Sequence, residues 1–222
     1  MRMNKLISAM EAASMIKDGN RIMVGGFGLV GCPLTILRSL QQSGTAKLEI
    51  ISNNLGEPGK GLGVLVKEKR VRKGIGSYFT SNPDVVKAYQ MGELEIELLP
   101  QGTLSEAIRA GGAGIAAFYT PVGAGTEITK GKEEREIEGK KYILQPSLKA
   151  DIALIKAHKA DELGNLVYIK SARNFNPIMA TAAKVVIAEV DQIVKIGELS
   201  PEEIVTPHLF VDYLVMKEEE IV

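Results

Sequence analysis

Closely spaced glycines between residues 25 and 31 form the part of this chain best suited to bind a ligand. This segment, the glycine loop, consists of Gly25, Gly26, Phe27, Gly28, Leu29, Val30 and Gly31. It follows the apolar run 22–24, which predicts a buried strand. It precedes Pro33, which suits the first position of a helix because proline needs no N–H there. Glycine allows positive φ angles and close approach of a ligand. Since the loop would lie at the positive end of a helix dipole, its free N–H groups could hold an anion or a polarised carbonyl group.

Two other interpretations of these glycines stay open. They could serve only a tight turn. Residues 26–31 also match G-x-G-x-x-G, the pattern of dinucleotide-binding folds, which expects an acidic residue at the end of the second strand to bond the ribose. The second strand here ends in Ser52, Asn53 and Asn54, while Glu49 lies inside it. Because an amide can donate hydrogen bonds and a carboxylate only accepts them, the ribose-binding group of an NAD-dependent oxidoreductase is missing.

Strands and helices alternate along the first hundred residues. Ser8 and Glu11 form a capping-box pattern that begins a helix, and Gly19 suits its end. We expect helices over residues 8–18, 33–43 and 82–91, and strands over residues 21–24, 47–52, 74–79 and 94–99. Strands that alternate with helices of about ten residues predict right-handed βαβ units and therefore a parallel sheet.

The chain changes character after Gln101. Small residues predict an irregular region over residues 111–125, and a hairpin with strands 134–137 and 141–144 follows it. Strands at 151–157, 166–169 and 185–190 and a helix near 177–183 then restore the parallel pattern. The predicted fold class is α/β, an open, mainly parallel sheet with helices on both faces and a small β-hairpin insertion. We expect a single domain over residues 1–222.

The composition argues against several classes of partner. The chain has 27 basic and 27 acidic residues and no tryptophan, so it offers neither a basic excess for nucleic acid nor a stacking platform for bases. Its longest apolar runs are far shorter than a membrane span, and no apolar signal core follows the N-terminus. A single cysteine argues against a disulfide framework and fits a reducing compartment. We therefore expect a cytoplasmic protein that binds neither nucleic acid nor membrane.

Other catalytic chemistries find no matching residues. Cys32, His158 and His208 are too scattered for a zinc site, and neither G-x-S-x-G nor G-x-x-x-x-G-K-[ST] is present. We interpret His158 as a hydrogen-bonded structural residue and His208 as a surface or interface residue. Cys32 has no histidine near it in sequence and is interpreted as an unreactive residue beside the glycine loop. We expect no metal.

The glycine loop and its flanks resemble the signature of the family I CoA-transferases. That signature consists of Asp/Asn-Gly, three aliphatic residues, Gly-Gly-Phe, a further glycine and a proline at set spacings. Asp18-Gly19, Ile22–Val24, Gly25–Phe27, Gly31 and Pro33 occupy all of these positions. Four further segments resemble the family in the same order, residues 99–104, 109–114, 118–121 and 170–176. The resemblance covers nearly the whole chain and is strongest to the A (alpha) subunits of 3-oxoacid and acetate/acetoacetate CoA-transferases.

The resemblance implies a ping-pong transfer of CoA between an acyl-CoA and a short-chain carboxylic or 3-oxo acid of the acetate, acetoacetate, succinate or butyrate class. An enzyme glutamate attacks the acyl-CoA thioester, giving an acyl-glutamyl anhydride and CoA thiolate. The thiolate attacks the anhydride, releases the acid and leaves a glutamyl-CoA thioester, from which a second acid collects the CoA. Each step passes through a tetrahedral oxyanion that needs prearranged hydrogen-bond donors. CoA is then a substrate, and neither metal nor NAD is required.

The resemblance also implies roles for residues of this chain. Asn53 matches the family asparagine that flanks the catalytic glutamate, and Gln101 matches the glutamine whose side-chain NH₂ group faces the thioester carbonyl. The glycine loop matches the segment that admits the thiol end of CoA. Without the resemblance, Asn53 would be interpreted as a turn former and Gln101 as a polar loop residue.

The glutamate that this mechanism needs is missing from the chain. In the family it lies in a Ser-Glu-Asn-Gly motif of the B subunit, and this sequence has no such motif. Glu57 lies in a different context, N-L-G-E-P-G, and is not assigned as the nucleophile. The resemblance therefore implies a chain that is inactive alone and works with a beta subunit, usually as two A and two B chains. Two alternatives stay open, a nucleotide- or sugar-phosphate-binding α/β module and an NAD-dependent oxidoreductase that uses the G-x-G-x-x-G loop.

Overall fold

The computed structural model describes residues 5–218. The helices in this range are α1 (Ala9–Ser14), α2 (Leu34–Ser43), α3 (Leu62–Lys67), α4 (Pro83–Gln90), α5 (Gln101–Gly112) and α6 (Asn176–Ala180). The strands are β1 (Arg21–Val24), β2 (Leu48–Ile51), β3 (Val71–Gly76), β4 (Glu95–Leu98), β5 (Ala117–Thr120), β6 (Glu134–Ile137), β7 (Lys140–Pro146), β8 (Ala150–Asp161), β9 (Leu166–Val167), β10 (Ala183–Val194) and β11 (Tyr213–Met216). None of the helices described combines the length and apolar character that crossing a lipid bilayer would need.

Eight of these strands form one large sheet. Its path runs in the order β11-β10-β8-β1-β2-β3-β4 with all neighbours parallel, and β9 pairs antiparallel with β8. Met23 of β1 pairs with Ile51 of β2 on one side and with Ala153 of β8 on the other. The predicted open, mainly parallel sheet is confirmed.

Buried apolar side chains cover both faces of this sheet. On β1, Ile22 and Val24 belong to one core cluster and Met23 belongs to the other, because successive side chains of a strand point to opposite faces. The first cluster takes residues from α1, α2, α3 and α4, and the second takes residues from α5 and α6. In the central strand β1, Ile22, Met23 and Val24 form a continuous apolar run because both faces of the sheet are covered there.

A smaller antiparallel sheet has the order β5-β7-β6. Its β6 and β7 form the predicted hairpin. At the turn, Glu138 and Gly139 have φ angles of 51° and 74°, the positive values that a two-residue type I′ turn needs. The sequence did not predict β5, which pairs with β7 so that Phe118 lies opposite Gln145.

The longest helix described, α5, occupies a stretch for which the sequence predicted no element, and only its last two residues fall in the region predicted to be irregular. α5 spans residues 101–112 although Gly102, Gly111 and Gly112 lower its helix propensity. Leu104 and Ile108 on this helix are fully buried in the second core cluster. Burial of an apolar face therefore outweighs poor local propensity.

Several element boundaries also differ from the predicted ones. α1 ends at Ser14 rather than near residue 18. Pro33 caps α2 with φ −79° and ψ 73°, so the prediction that it occupies the first helical position is wrong. The α3 and β11 elements had no prediction, and the antiparallel pairing of β9 interrupts the expected parallel pattern.

Replacing Gly111 by alanine is expected to destabilise the chain by about 2 kcal/mol, because the new Cβ would lie 1.9 Å from the Leu148 carbonyl oxygen and force a backbone shift. Gly102 lies in the same helix, and a Cβ there would meet no atom within 4 Å. Gly102→Ala is therefore the matched control, expected to stabilise by up to about 1 kcal/mol. Urea unfolding of both variants measures the difference, and equal stabilities would contradict the packing argument.

Candidate active site

The carboxyl ends of β1 to β4 lie side by side at one edge of the large sheet, and the predicted site residues follow these ends. Gly25 directly follows β1, Asn53 comes shortly after β2, and Gln101 comes shortly after β4. The Ser52 hydroxyl donates to the Val24 carbonyl at 2.8 Å and links the end of β2 to that of β1. The structure thus brings the glycine loop, Asn53 and Gln101 to the edge at which parallel α/β folds bind ligands.

Asn53, Ser77 and Gln101 form a hydrogen-bonded group, the polar cluster. Asn53 Nδ2 donates to Ser77 Oγ at 3.0 Å and to Gln101 Oε1 at 3.1 Å, and Ser77 Oγ lies 3.3 Å from Gln101 Oε1. Asn53 is buried, with 1% of its surface exposed, whereas Gln101 is exposed. Gln101 is also the first residue of α5 rather than a loop residue. The two amides predicted for the site are therefore in direct contact.

The number of available hydrogens determines which groups of the polar cluster stay open to a ligand. Both Nδ2 hydrogens of Asn53 are used within the cluster, so Asn53 has no amide hydrogen left for another oxygen. Gln101 accepts through Oε1, and its Nε2 group has no acceptor among the residues described. Within the same range, acceptors are also missing for the backbone N–H groups of Gln101, Gly102 and Thr103. These groups belong to the first turn of α5, where N–H groups have no partner inside the helix. The cluster therefore presents N–H groups beside the positive end of the α5 dipole.

The glycine loop makes a tight turn of its own. Phe27 N–H donates to the Val30 carbonyl at 3.0 Å, and Val30 N–H donates to the Phe27 carbonyl at 3.3 Å. Gly28, with φ 61°, and Leu29 form the tip between them. Phe27 and Val30 are each 52% exposed. Within residues 5–218 the N–H groups of Gly28, Leu29 and Gly31 have no acceptor, so the tip of the loop has free donors.

Two asparagines from the segment after β9 hold the glycine loop, and we call them the asparagine clasp. Asn174 Oδ1 accepts from Gly26 N–H at 3.1 Å, and Asn174 Nδ2 donates to the Val30 carbonyl at 3.0 Å. Asn176 Nδ2 donates to the Gly31 carbonyl at 3.0 Å. The clasp thus bonds the beginning, middle and end of the loop.

Close packing against the clasp explains why the loop is rich in glycine. A Cβ on Gly25 would lie 1.8 Å from Asn176 Oδ1, and one on Gly31 would lie 2.3 Å from the Ala172 carbonyl oxygen. Gly26 has φ 127° and Gly31 has φ 70°, conformations that L side chains rarely adopt. These glycines therefore serve both the turn and the close approach of a neighbouring segment.

A side chain of the protein itself occupies the N-terminus of α2, the helix that follows the glycine loop. Glu189 Oε2 accepts from the N–H groups of Thr35 at 2.8 Å and Ile36 at 3.2 Å. Leu34 N–H bonds to the Cys32 carbonyl at 3.0 Å. A buried carboxylate from β10 therefore already complements the α2 dipole, whereas the free N–H groups that the sequence predicted lie on the glycine loop itself.

Glu189 belongs to a charge network in the middle of the paired strands β8 and β10. Lys156 Nζ lies 3.3 Å from Glu189 Oε1 and 2.7 Å from Asp191 Oδ1, and Asp191 Oδ2 lies 3.1 Å from His158 Nδ1. A cavity of about 840 Å³ is lined by these four residues and by Leu29 of the glycine loop. Burial raises the pKa of the Glu189 carboxyl, although Lys156 favours its charged form. Desolvation also acts to raise the pKa of Asp191, but hydrogen bonds from Lys156 and His158 outweigh it and lower that pKa.

The histidines and the cysteine have no partner arrangement typical of a nucleophile. His158 is hydrogen-bonded to Asp191, as interpreted from the sequence. His208 is half-buried, with Nδ1 3.2 Å from Asn165 Oδ1. Burial raises the pKa of the buried Cys32 thiol, and the charge of Glu189 raises it further, so the thiol is not activated. In the part of the chain that the structure describes, no group of three or more His, Cys, Asp or Glu residues is placed to hold a metal.

Sequence reasoning missed four residues that shape the site, Ser77, Asn174, Asn176 and Glu189. Ser77 directly follows β3 and could have been found, because it occupies the same kind of position as Asn53 after β2. Glu189 carries a signal too, since a carboxylate inside the apolar run 185–190 indicates a buried partner. The two asparagines carry no periodic signal, because their role depends on a contact with residues about 145 positions earlier.

Comparison with known proteins identifies the family. Residues 6–217 match the coenzyme A transferase family. The chain is 47% identical over 211 residues to a relative from Bacillus subtilis strain 168, named as the A subunit of a probable succinyl-CoA:3-ketoacid coenzyme A transferase, covering 95% of this chain and 89% of that relative. It is 50% identical over 210 residues to the A subunit of the 3-oxoadipate CoA-transferase of Pseudomonas putida, covering 94% of this chain and 91% of the relative.

A solved structure supports the same fold. An acyl-CoA transferase from Escherichia coli O157:H7, determined as a thioester complex with CoA, superposes with a TM-score of 0.84 and 22% identity over 96% of this chain. This chain spans about half, 47%, of that longer chain. The chain belongs to the coenzyme A transferase family, with similarity to its A-type subunits, and CoA transfer is the chemistry of that family. The dinucleotide and sugar-phosphate alternatives find no support among these relatives.

Replacing Asn176 by alanine is expected to destabilise the chain by about 3 kcal/mol. Asn176 is fully buried, and its loss leaves the Lys156 N–H and the carbonyls of Gly31 and Ala172 without this partner. Urea unfolding measures the effect. Gln42→Ala removes an exposed amide from α2 and is the control; if both variants lost equally little stability, the clasp would not hold the loop.

The raised pKa of Glu189 predicts a pH dependence of stability. A carboxyl whose pKa is higher in the folded state contributes stability at low pH that is lost as pH rises through the folded pKa. The stability of the wild type relative to Glu189→Gln should therefore decrease as pH rises from about 4.5, the ordinary pKa of a glutamate carboxyl, towards neutral pH. Urea unfolding across this range tests the sign, with Glu202→Gln as an exposed control. A difference that grows with pH would contradict the assignment.

Proposed function

We propose that this chain is the A subunit of a CoA-transferase that moves CoA between an acyl-CoA and a short-chain carboxylic or 3-oxo acid. The names of the two relatives, which specify a succinyl-CoA:3-ketoacid and a 3-oxoadipate transferase, support this substrate class. Both names also specify an A-type chain, which supports a separate B subunit in the role of partner. The sequence lacks the Ser-Glu-Asn-Gly motif expected for the nucleophile, and we propose that the B subunit supplies that glutamate. We further propose an A2B2 assembly that works in the cytoplasm without metal or NAD.

The observation that carries this proposal is the open NH₂ group of Gln101. Attack of a glutamate on a thioester turns the carbonyl oxygen into an oxyanion, and catalysis requires donors aimed at that oxygen in advance. Gln101 Oε1 is held by Asn53 Nδ2 at 3.1 Å, so the Nε2 group is directed away from the cluster. Within residues 5–218 no carboxylate is hydrogen-bonded to a side chain of the polar cluster, and the Nε2 hydrogens of Gln101 have no acceptor there.

We propose that Asn53 acts through Gln101. It is 1% exposed and both of its amide hydrogens are bonded within the cluster, which leaves only Oδ1 for any outside group. A buried amide that donates to Gln101 Oε1 restricts the rotation of the exposed glutamine. In this proposal, Asn53 takes the part of the family asparagine beside the catalytic glutamate by positioning the oxyanion donor, Gln101.

We propose that the glycine loop receives the thiol end of CoA. The N–H groups of Gly28, Leu29 and Gly31 are free donors, and the exposed Phe27 and Val30 side chains flank the tip. The pantetheine arm of CoA offers amide carbonyls and methylene groups that match these donors and apolar surfaces. The diphosphate of CoA would not bind at the N-terminus of α2, because Glu189 already accepts from its N–H groups.

In the enzyme assembled with its B subunit, Gln101→Ala is expected to lower kcat about a hundredfold while the two chains still co-purify, because one oxyanion donor is lost. Steady-state transfer of CoA from succinyl-CoA to acetoacetate measures the effect. Gln90→Ala, an exposed glutamine at the end of α4, is the matched control and should keep full activity.

Two results would contradict this function. An unchanged kcat for Gln101→Ala would remove the oxyanion assignment. Transfer catalysed by this chain without a B subunit would remove the proposal that the nucleophile comes from the partner.

NAD is expected to leave the melting temperature of the purified protein unchanged, and a clear increase would favour the oxidoreductase alternative.

A further inference from the structure

Ser77 is attached to the polar cluster in a way that leaves its hydroxyl hydrogen available. The Asn53 carbonyl oxygen already accepts from the backbone N–H groups of Ser77 and Tyr78, both at 3.1 Å. A carbonyl oxygen has two lone pairs, and these two N–H groups use both. Ser77 Oγ also lies 3.3 Å from this oxygen, but at the same distance it reaches Gln101 Oε1. The Ser77 hydroxyl therefore donates more favourably to Gln101 Oε1, because that oxygen accepts only one other hydrogen bond, from Asn53 Nδ2.

With that hydrogen assigned, the polar cluster becomes a closed set of donors and acceptors. Asn53 Nδ2 donates one hydrogen to Ser77 Oγ and the other to Gln101 Oε1, and Ser77 Oγ donates to the same Oε1. Both lone pairs of Gln101 Oε1 then accept hydrogen bonds. Flipping the amide would bring its NH₂ group against the two donors, Asn53 Nδ2 and Ser77 Oγ, and would lose both bonds. Among the side-chain donors of the polar cluster, only the Nε2 group of Gln101 then remains for a ligand.

We propose that Ser77 is a positioning residue for CoA transfer, whose hydroxyl fixes the Gln101 amide so that its NH₂ group meets the oxyanion. The inference rests on the proposed function of Gln101 and adds a residue to which no role has been assigned. Gln101 is exposed and has three rotatable side-chain bonds, so a single bond from Asn53 leaves it free to pivot. The second bond from Ser77 removes that freedom before the substrate arrives, which is what preorganised catalysis requires.

The Ser77 hydroxyl is not needed to hold the backbone. Ser77 and Tyr78 N–H groups bond to the Asn53 carbonyl without help from the side chain, and Gly76 packs closely enough that a Cβ there would lie 2.4 Å from the Ser52 carbonyl oxygen. Removing the hydroxyl should therefore leave the loop and the assembly intact. This separates a positioning role from a structural one.

A double-mutant cycle in the assembled A and B enzyme tests the proposal. Ser77→Ala is expected to lower kcat about tenfold while the KM values for succinyl-CoA and acetoacetate change less than about twofold, because the ground state binds elsewhere. In the Gln101→Ala background, Ser77→Ala should cause no further loss, because the residue acts only through that glutamine. Ser77→Thr keeps a hydroxyl and should recover most of the activity.

The controls make each outcome decisive. Ser81→Ala removes an exposed hydroxyl four residues along the same loop and should leave kcat unchanged. If Ser77→Ala does not assemble, Ser77→Cys preserves the volume with a weaker donor and should show the same loss of kcat. A wild-type kcat for Ser77→Ala, or an equal further loss in the Gln101→Ala background, would overturn the role of Ser77 while leaving Gln101 in place. An unchanged kcat for Gln101→Ala would overturn both inferences together.

Discussion

The parallel pairing of β1, β2, β3 and β4 is the constraint on which the site depends. Parallel neighbours end at the same edge of a sheet, so the residues that follow four separate strands become adjacent there. Asn53 is 24 residues from Ser77 and 48 residues from Gln101 along the chain, yet its side chain donates a hydrogen bond to each of them. Without that pairing, these three polar side chains would not be within hydrogen-bond distance of one another.

The hydrogen bonds made within the protein determine which donor groups of the site stay available to a ligand. The clasp uses the carbonyls and one N–H of the glycine loop, Glu189 uses the N–H groups of α2, and Asn53 spends both amide hydrogens internally. At this site, the donors left without an acceptor among the residues described are N–H groups at the tip of the glycine loop and in the first turn of α5, together with the Nε2 group of Gln101. A site that offers donors and no carboxylate nucleophile is suited to stabilise negative charge produced by another group, which agrees with the chemistry of the CoA-transferase family.

Hydrogen bonding to the glycine loop also explains an unusual backbone conformation beside it, at Asn174. Asn174 has φ 24° and ψ −122°, an unusual backbone conformation for a residue with a side chain. Its side chain bonds to Gly26, Val30, Ser171 and Ala172, and these bonds hold the conformation in place. The residue with this unusual backbone lies beside the glycine loop, and the hydrogen bonds of its side chain hold the loop that carries the free donors.

The amino-acid sequence by itself determined the alternation of strands and helices, the parallel sheet, the hairpin and the position of the glycine loop, because apolar periodicity and turn residues are local signals. Through the family resemblance it also predicted Asn53 and Gln101 as site residues. Only the tertiary structure decided that α5 is a helix, since burial of Leu104 and Ile108 outweighs its glycines. Only the tertiary structure decided that Glu189 closes the N-terminus of α2 and that Ser77 joins the polar cluster, because both contacts join residues far apart in the chain. Hydrogen-bond partners that lie on different strands leave no periodic trace in a single sequence.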